Sequence, residues 1–140
     1  MQLAEICNLP ILGVEREARF SPPAPNWDSF IVSGLEIMVL PVDWQASLQE
    51  WRGVYQILDR VDGARYVGSA YGEANLPGRW LGHVGGGAGI TVELAKRDPV
   101  RFQFSIHELV APTASSETVI ALEQSWKPRL DTIEHGLNRN

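Results

Sequence analysis

The sequence predicts an α+β (α/β) domain, on three observations. Val54–Leu58 and Arg65–Val67 are short apolar runs either side of an Asp62-Gly63 turn signal, the pattern of a β-hairpin. Phe102, Phe104 and Ile106 alternate with Gln103, Ser105 and His107, the period of a half-buried strand. Val119, Leu122 and Trp126 recur at i, i+3 and i+7, the buried stripe of an amphipathic helix. The 140 residues suffice for one domain with its own core and are too few for two ordinary ones.

Residues 1–50 read as an N-terminal extension and 51–140 as the α+β domain. Up to about residue 26, Pro10 and Pro22-Pro23-Ala24-Pro25 punctuate a stretch with no sustained period, which predicts an extended arm. Residues 27–50 are richer in apolar side chains, from Trp27 and Phe30 to Leu48, and read as packing on the core. That they embrace a partner subunit or DNA is the functional alternative, disfavoured because no residue there is basic. The longest apolar run, Phe30 to Val42, is interrupted by Glu36 and Pro41 and falls short of the roughly 20 residues of a spanning helix. No membrane segment is therefore expected, and no basic-then-apolar leader opens the chain. The single cysteine, Cys7, excludes an internal disulfide framework, so a reducing, cytoplasmic setting is expected.

A formal charge of −5 argues at first against nucleic acid. Its distribution removes the objection. Residues 1–50 set Arg16 and Arg19 against Glu5, Glu15, Glu17, Asp28, Glu36, Asp43 and Glu50, which accounts for the whole excess and leaves the remainder neutral.

Pairing the two hairpin strands brings Tyr55 near Tyr66, with Gly53 and Gly68 leaving room for close approach to the backbone. Leu76–His83 predicts a short helix starting after Pro77-Gly78, with Arg79 and His83 four residues apart on one face. Gly85-Gly86-Gly87-Ala88-Gly89 lacks the Lys-Ser or Lys-Thr of a phosphate loop and reads as a connection. Ile90 to Arg97 reads as a short helix ending before Asp98-Pro99. The last main helix should be capped between Thr113 and Ser116 and stopped by Pro128. Glu123 falls on or beside its apolar stripe, where a carboxylate needs a compensating arginine or metal ion. Arg65, Lys96, Arg97 and Arg101 read as solvated charges.

In order along residues 52–138, Gly53-Val54-Tyr55, ten residues of spacer, Tyr66-Val67-Gly68, then Arg79, His83, Glu123 and Gly136-Leu137-Asn138 resemble the GIY-YIG nuclease family. The segments YVGSA, GRW and WK…GLN are most similar to the branch containing small restriction endonucleases. The resemblance implies a small central three-stranded antiparallel sheet flanked by helices, and phosphodiester hydrolysis with one divalent metal. Such hydrolysis needs an attacking water, removal of its proton, and neutralisation of the phosphate and leaving alkoxide. On that resemblance Glu123 holds Mg²⁺ or Mn²⁺, and Arg79 contacts the scissile phosphate through its planar fork of donors. Tyr55 activates the water, with His83 as base or proton relay. Tyr66 orients water or phosphate, and Asn138 hydrogen-bonds near the site. The expectation is a metal-dependent, restriction-type DNA endonuclease that works as a homodimer or by sequential nicks, because a duplex has two strands to cut. The alternatives are a structure-selective or mobile-element nuclease, and a DNA-binding domain without turnover.

Overall fold

The computed structural model describes residues 23–71, 75–85 and 91–140. Most of the predicted arm, with Cys7, lies outside them, as does the glycine-rich connection after Gly85.

The sheet has four antiparallel strands in the order β1-β4-β2-β3. They are β1 (Ile31–Ser33), β2 (Arg52–Asp59), β3 (Arg65–Ala70) and β4 (Phe102–Val110). The hairpin and the alternating strand are the expected three. The fourth, β1, adds to the outer edge of β4 with Ile31 opposite Ser105 and Val32 opposite Phe104. Val32, and Phe30 just before the strand, turn into the core while Ile31 is 60% exposed. Too short to show a period, the strand is hidden in the surrounding apolar run. The β2–β3 loop follows the Asp-Gly signal: Gly63 supplies a positive φ of 78° and Asp62 Oδ1 accepts from Ala64 N–H at 3.1 Å.

Among the described residues, five α-helices accompany the sheet: α1 (Gly34–Ile37), α2 (Val42–Glu50), α3 (Asn75–Gly85), α4 (Val92–Ala95) and α5 (Ser116–Leu130). Tyr55, Ile57, Tyr66, Phe102, Phe104 and Ile106 share one face and pack with Phe30, Leu48, Leu76, Trp80 and Leu94 into a single apolar core. Trp80 of α3 is fully buried, 5.2 Å from Phe104 ring to ring. The other face, with Val54, Val67 and Ser69, carries α5 through the buried Val119.

Three helix boundaries differ from the sequence reading. Helix α4, expected over Ile90 to Arg97, spans Val92–Ala95, capped by the Thr91 side chain. Helix α3 starts at Asn75, because Pro77 falls in the first turn, where its missing N–H has no intrahelical acceptor to serve. Helix α5 begins on time, capped by Ser115 Oγ, but runs past Pro128 to Leu130. Its stop is Asp131 in the left-handed region at φ 55°, so the proline removes one hydrogen bond from the last turn without ending the helix. Arg97 and Arg101 are also not solvated charges. They pair with the fully buried Asp59 at 2.8 and 3.1 Å, fixing the end of β2. Among the described residues no helix is long and apolar enough to cross a membrane.

Candidate active site

The hairpin register places Tyr55 opposite Gly68 and Ile57 opposite Tyr66, so the two tyrosines are diagonal neighbours on the α3 face. The room left by the two glycines is taken by the protein itself. A Cβ on Gly68 would lie 2.6 Å from Tyr55 Oη and 2.8 Å from the Tyr66 ring, so Gly68 is the gap through which the Tyr55 phenol lies across β3. Gly53, at φ 154°, would place a Cβ 1.9 Å from the Glu108 carbonyl oxygen. There β4 presses against β2 just where their register slips by one residue between Val54 and Tyr55.

Helix α3 brings up the imidazole. Tyr55 Oη and His83 Nε2 are 2.7 Å apart, both side chains buried. The His83 ring is 5.9 Å from Tyr55 and 5.6 Å from Tyr66, edge to face with each. His83 Nδ1 is buried without a hydrogen-bond partner among the described residues. Burial, and then the Arg79 charge, push the imidazole down to about 4, so it is neutral at ordinary pH. Burial also holds the Tyr55 phenol far above its usual range, with Tyr66 and Glu123 adding to that and Arg79 working against it. Tyr66 is raised by burial and by Glu123, again against Arg79. Neutral imidazole accepting from neutral phenol is the arrangement these shifts favour. Arg79, one turn before His83, is the exposed member, its cation acting on both phenols.

Glu123 arrives from α5, on the other side of β3. Its Oε1 accepts from Ser69 Oγ, and its Oε2 is 2.9 Å from Lys127 Nζ. The compensating group that sequence reasoning sought in an arginine or a metal is, in the protein itself, a lysine one turn on along the same helix. Lys127 was missed, although the Glu-to-Lys i,i+4 spacing was there to be read. Its side chain is 4% exposed against 18% for Glu123, and its ammonium also donates to the Asn140 carbonyl at 2.6 Å.

Asn138 does not face the phenols. Its Oδ1 accepts from Val67 N–H at 2.8 Å and its Nδ2 donates to Val67 O at 2.9 Å, pairing one side chain with the backbone of β3. Leu137 N–H donates to Arg65 O on the same edge, and a Cβ on Gly136 would sit 2.6 Å from that oxygen. The Gly-Leu-Asn segment is thus read by the strand: glycine for close approach, leucine for the core, asparagine for the clasp. The structure brings Tyr55, Tyr66, Arg79 and His83 together, sets Glu123 across the strand from them, and leaves Asn138 one contact away.

No family model matches the chain, and no curated protein does. Two solved structures are similar in fold. One is a mutant of the catalytic domain of intron endonuclease I-TevI (25% identity, TM-score 0.53), covering 64% of this chain and 94% of that one. The other is the catalytic domain of homing endonuclease I-TevI (23%, 0.52), covering 64% and 98%. The mixed fold expected from the GIY-YIG resemblance is therefore the fold of this chain, with a fourth strand on the sheet. The likeness is to a homing endonuclease and does not single out the restriction branch.

Proposed function

We propose that the chain is a divalent-metal-dependent endonuclease hydrolysing DNA phosphodiester bonds. The observation that carries this reading is the buried Tyr55–His83 hydrogen bond of 2.7 Å, set between an exposed arginine and a half-buried carboxylate. The fold shared with endonuclease catalytic domains supports it.

In this reading Arg79 binds the scissile phosphate bidentately and stabilises the charge that grows on it. The attacking water gives its proton to Tyr55 Oη as the phenol proton passes to His83 Nε2. A free phenolate, which burial disfavours, then never has to accumulate. A histidine pushed down to about 4 is unprotonated and ready to receive that proton at neutral pH. Tyr66, packed on the same imidazole, orients the water or phosphate. Glu123 fits Mg²⁺ or Mn²⁺ by donor type, since such ions take oxygen ligands and combine one or two carboxylates with substrate phosphates. Bound there, the ion would neutralise charge on the phosphate and the leaving oxygen. Asn138 is a positioning residue: it holds Val67, between Tyr66 and Gly68, in place.

The YVGSA, GRW and WK…GLN segments favour a restriction-type role. The names of the two similar structures favour the second reading, a mobile-element nuclease. Incubating purified protein with plasmid and Mg²⁺ or Mn²⁺ tests both. Discrete fragments support restriction, a single long-site or branched-substrate cut supports the second reading, and a gel shift without cleavage defeats the enzymatic assignment. One site per chain and two strands per duplex call for a homodimer or sequential nicks. A mass of one chain by light scattering on cognate DNA would rule out the dimer.

A further inference from the structure

Lys127 is the charged group that the mechanism above does not use, and it is buried against the one carboxylate that the mechanism requires. We propose that Lys127 is a positioning residue that occupies Glu123 in the DNA-free protein, so that a divalent ion is taken up only once a phosphodiester lies in the site. This rests on the endonuclease reading and concerns the order in which that site fills.

Both carboxylate oxygens of Glu123 are engaged, Oε1 by Ser69 Oγ and Oε2 by Lys127 Nζ at 2.9 Å. The ammonium is held there from behind by the Asn140 carbonyl at 2.6 Å and by burial, so it is not a mobile surface lysine that swings away at no cost. Among the described residues, the one group of three or more metal-ligating side chains within mutual reach is Asp131, Glu134 and His135, and it does not include Glu123. An ion at Glu123 is therefore not met by a preformed trio of ligating side chains, and it finds a carboxylate already paired with a cation. Arg79, the other charge bearing on the site, is also positive. For a dication the DNA-free site is close to neutral or repulsive. A DNA phosphate supplies the missing negative charge and further oxygen ligands together, which is how Mg²⁺ sites with few protein ligands are completed. The pair with Lys127 meanwhile keeps Glu123 aimed at Ser69, so the carboxylate is in place when the phosphate arrives.

Mn²⁺ uptake by the full chain, followed by loss of the free-ion paramagnetic resonance signal, tests this. A Tyr55→Phe background slows cutting of an added short duplex so that uptake is read before it is consumed, and Glu123→Gln in that background subtracts ions condensed by the DNA. The proposal expects weak uptake without DNA and a gain when duplex is added. It expects Lys127→Met to tighten DNA-free uptake by about tenfold or more, while Lys127→Arg, which keeps the charge, stays as weak as the parent. Lys127→Gln, neutral yet able to donate to Asn140, is the second neutral variant, and circular dichroism melting confirms that each protein is folded. Unchanged or weaker DNA-free uptake in both neutral variants overturns the proposal, because Lys127 would then assist the ion or ignore it. So does a parent that binds Mn²⁺ equally well with and without duplex. Uptake insensitive to Glu123→Gln in every arm overturns the metal assignment itself and the proposal with it.

Discussion

The two sides of strand β3 hold their polar groups by opposite means. On the α3 side a phenol and an imidazole are buried, ring-packed and uncharged, joined by one hydrogen bond. On the α5 side a carboxylate and an ammonium form an ion pair at 2.9 Å, the lysine buried and the glutamate half-buried. Burial shifts a lone group toward its neutral form, and a close opposite charge keeps both partners ionised. Strand β3 thus separates groups suited to moving a proton from groups suited to balancing charge.

Substitution on each side should break this division in a characteristic way. The largest effect belongs to the charged side: Glu123→Gln should lower Mg²⁺-supported plasmid nicking by about 10³-fold, and cleavage at the parental rate would show that charge is balanced elsewhere. The dry side should respond to pH. His83 titrates near 4 when folded and near its ordinary 6.5 when unfolded, so below 6.5 the unfolded chain takes up a proton that the folded one refuses. Its contribution is complete above 6.5 and is lost as pH falls toward 4, on the order of 3 kcal/mol in urea midpoints. His83→Phe should flatten that segment of the curve. Cleavage, for the same reason, should show no step near 6.5.

Smaller effects sharpen the picture. Tyr55→Phe and His83→Ala should each slow cleavage about 10²-fold, and the double variant should lose little more than either, since one proton path is cut in both; multiplicative losses would mean two separate roles. Asn138→Ala should cost about 1–3 kcal/mol, because Val67 N–H and C=O lose their partners, while the protein that remains folded still cuts. Arg129→Ala should cost less than about 1 kcal/mol: Arg129 lies 4.0 Å over the Trp126 ring, which also stacks on His107, and it belongs to neither polar pair.

Local signals found most of this fold. The hairpin, the alternating strand and the capped helix each carry a period longer than their noise, and all three are present. Strand β1 escaped because three residues in an apolar run show no alternation. The proline at 128 misled because position within a helix, not identity, decides whether it terminates. In the site, Tyr55 and His83 were legible as candidates, but their direct hydrogen bond depends on Gly68 clearing a path for a ring, a three-dimensional fact. Gly53 and Gly68 were legible as close-approach positions, though the approaching atoms turned out to be Glu108 and Tyr55 and not a ligand. Lys127 was overlooked because lysine reads by default as a surface residue. His107 keeps the expected alternation, meeting Gln56 and Trp126 on the face opposite Ile106, while the slip between Val54 and Tyr55 leaves it without a partner on β2.

The clasp of Leu137 and Asn138 has one more consequence. Strand β3 is an outer strand of the sheet, and without that segment Arg65 and Val67 would present open donors and acceptors along its rim. An uncovered rim of that kind is a template for a strand from another molecule. A chain cut after Thr132 should therefore do worse than lose stability: its tyrosine-bearing strand becomes the seam along which copies join edge to edge.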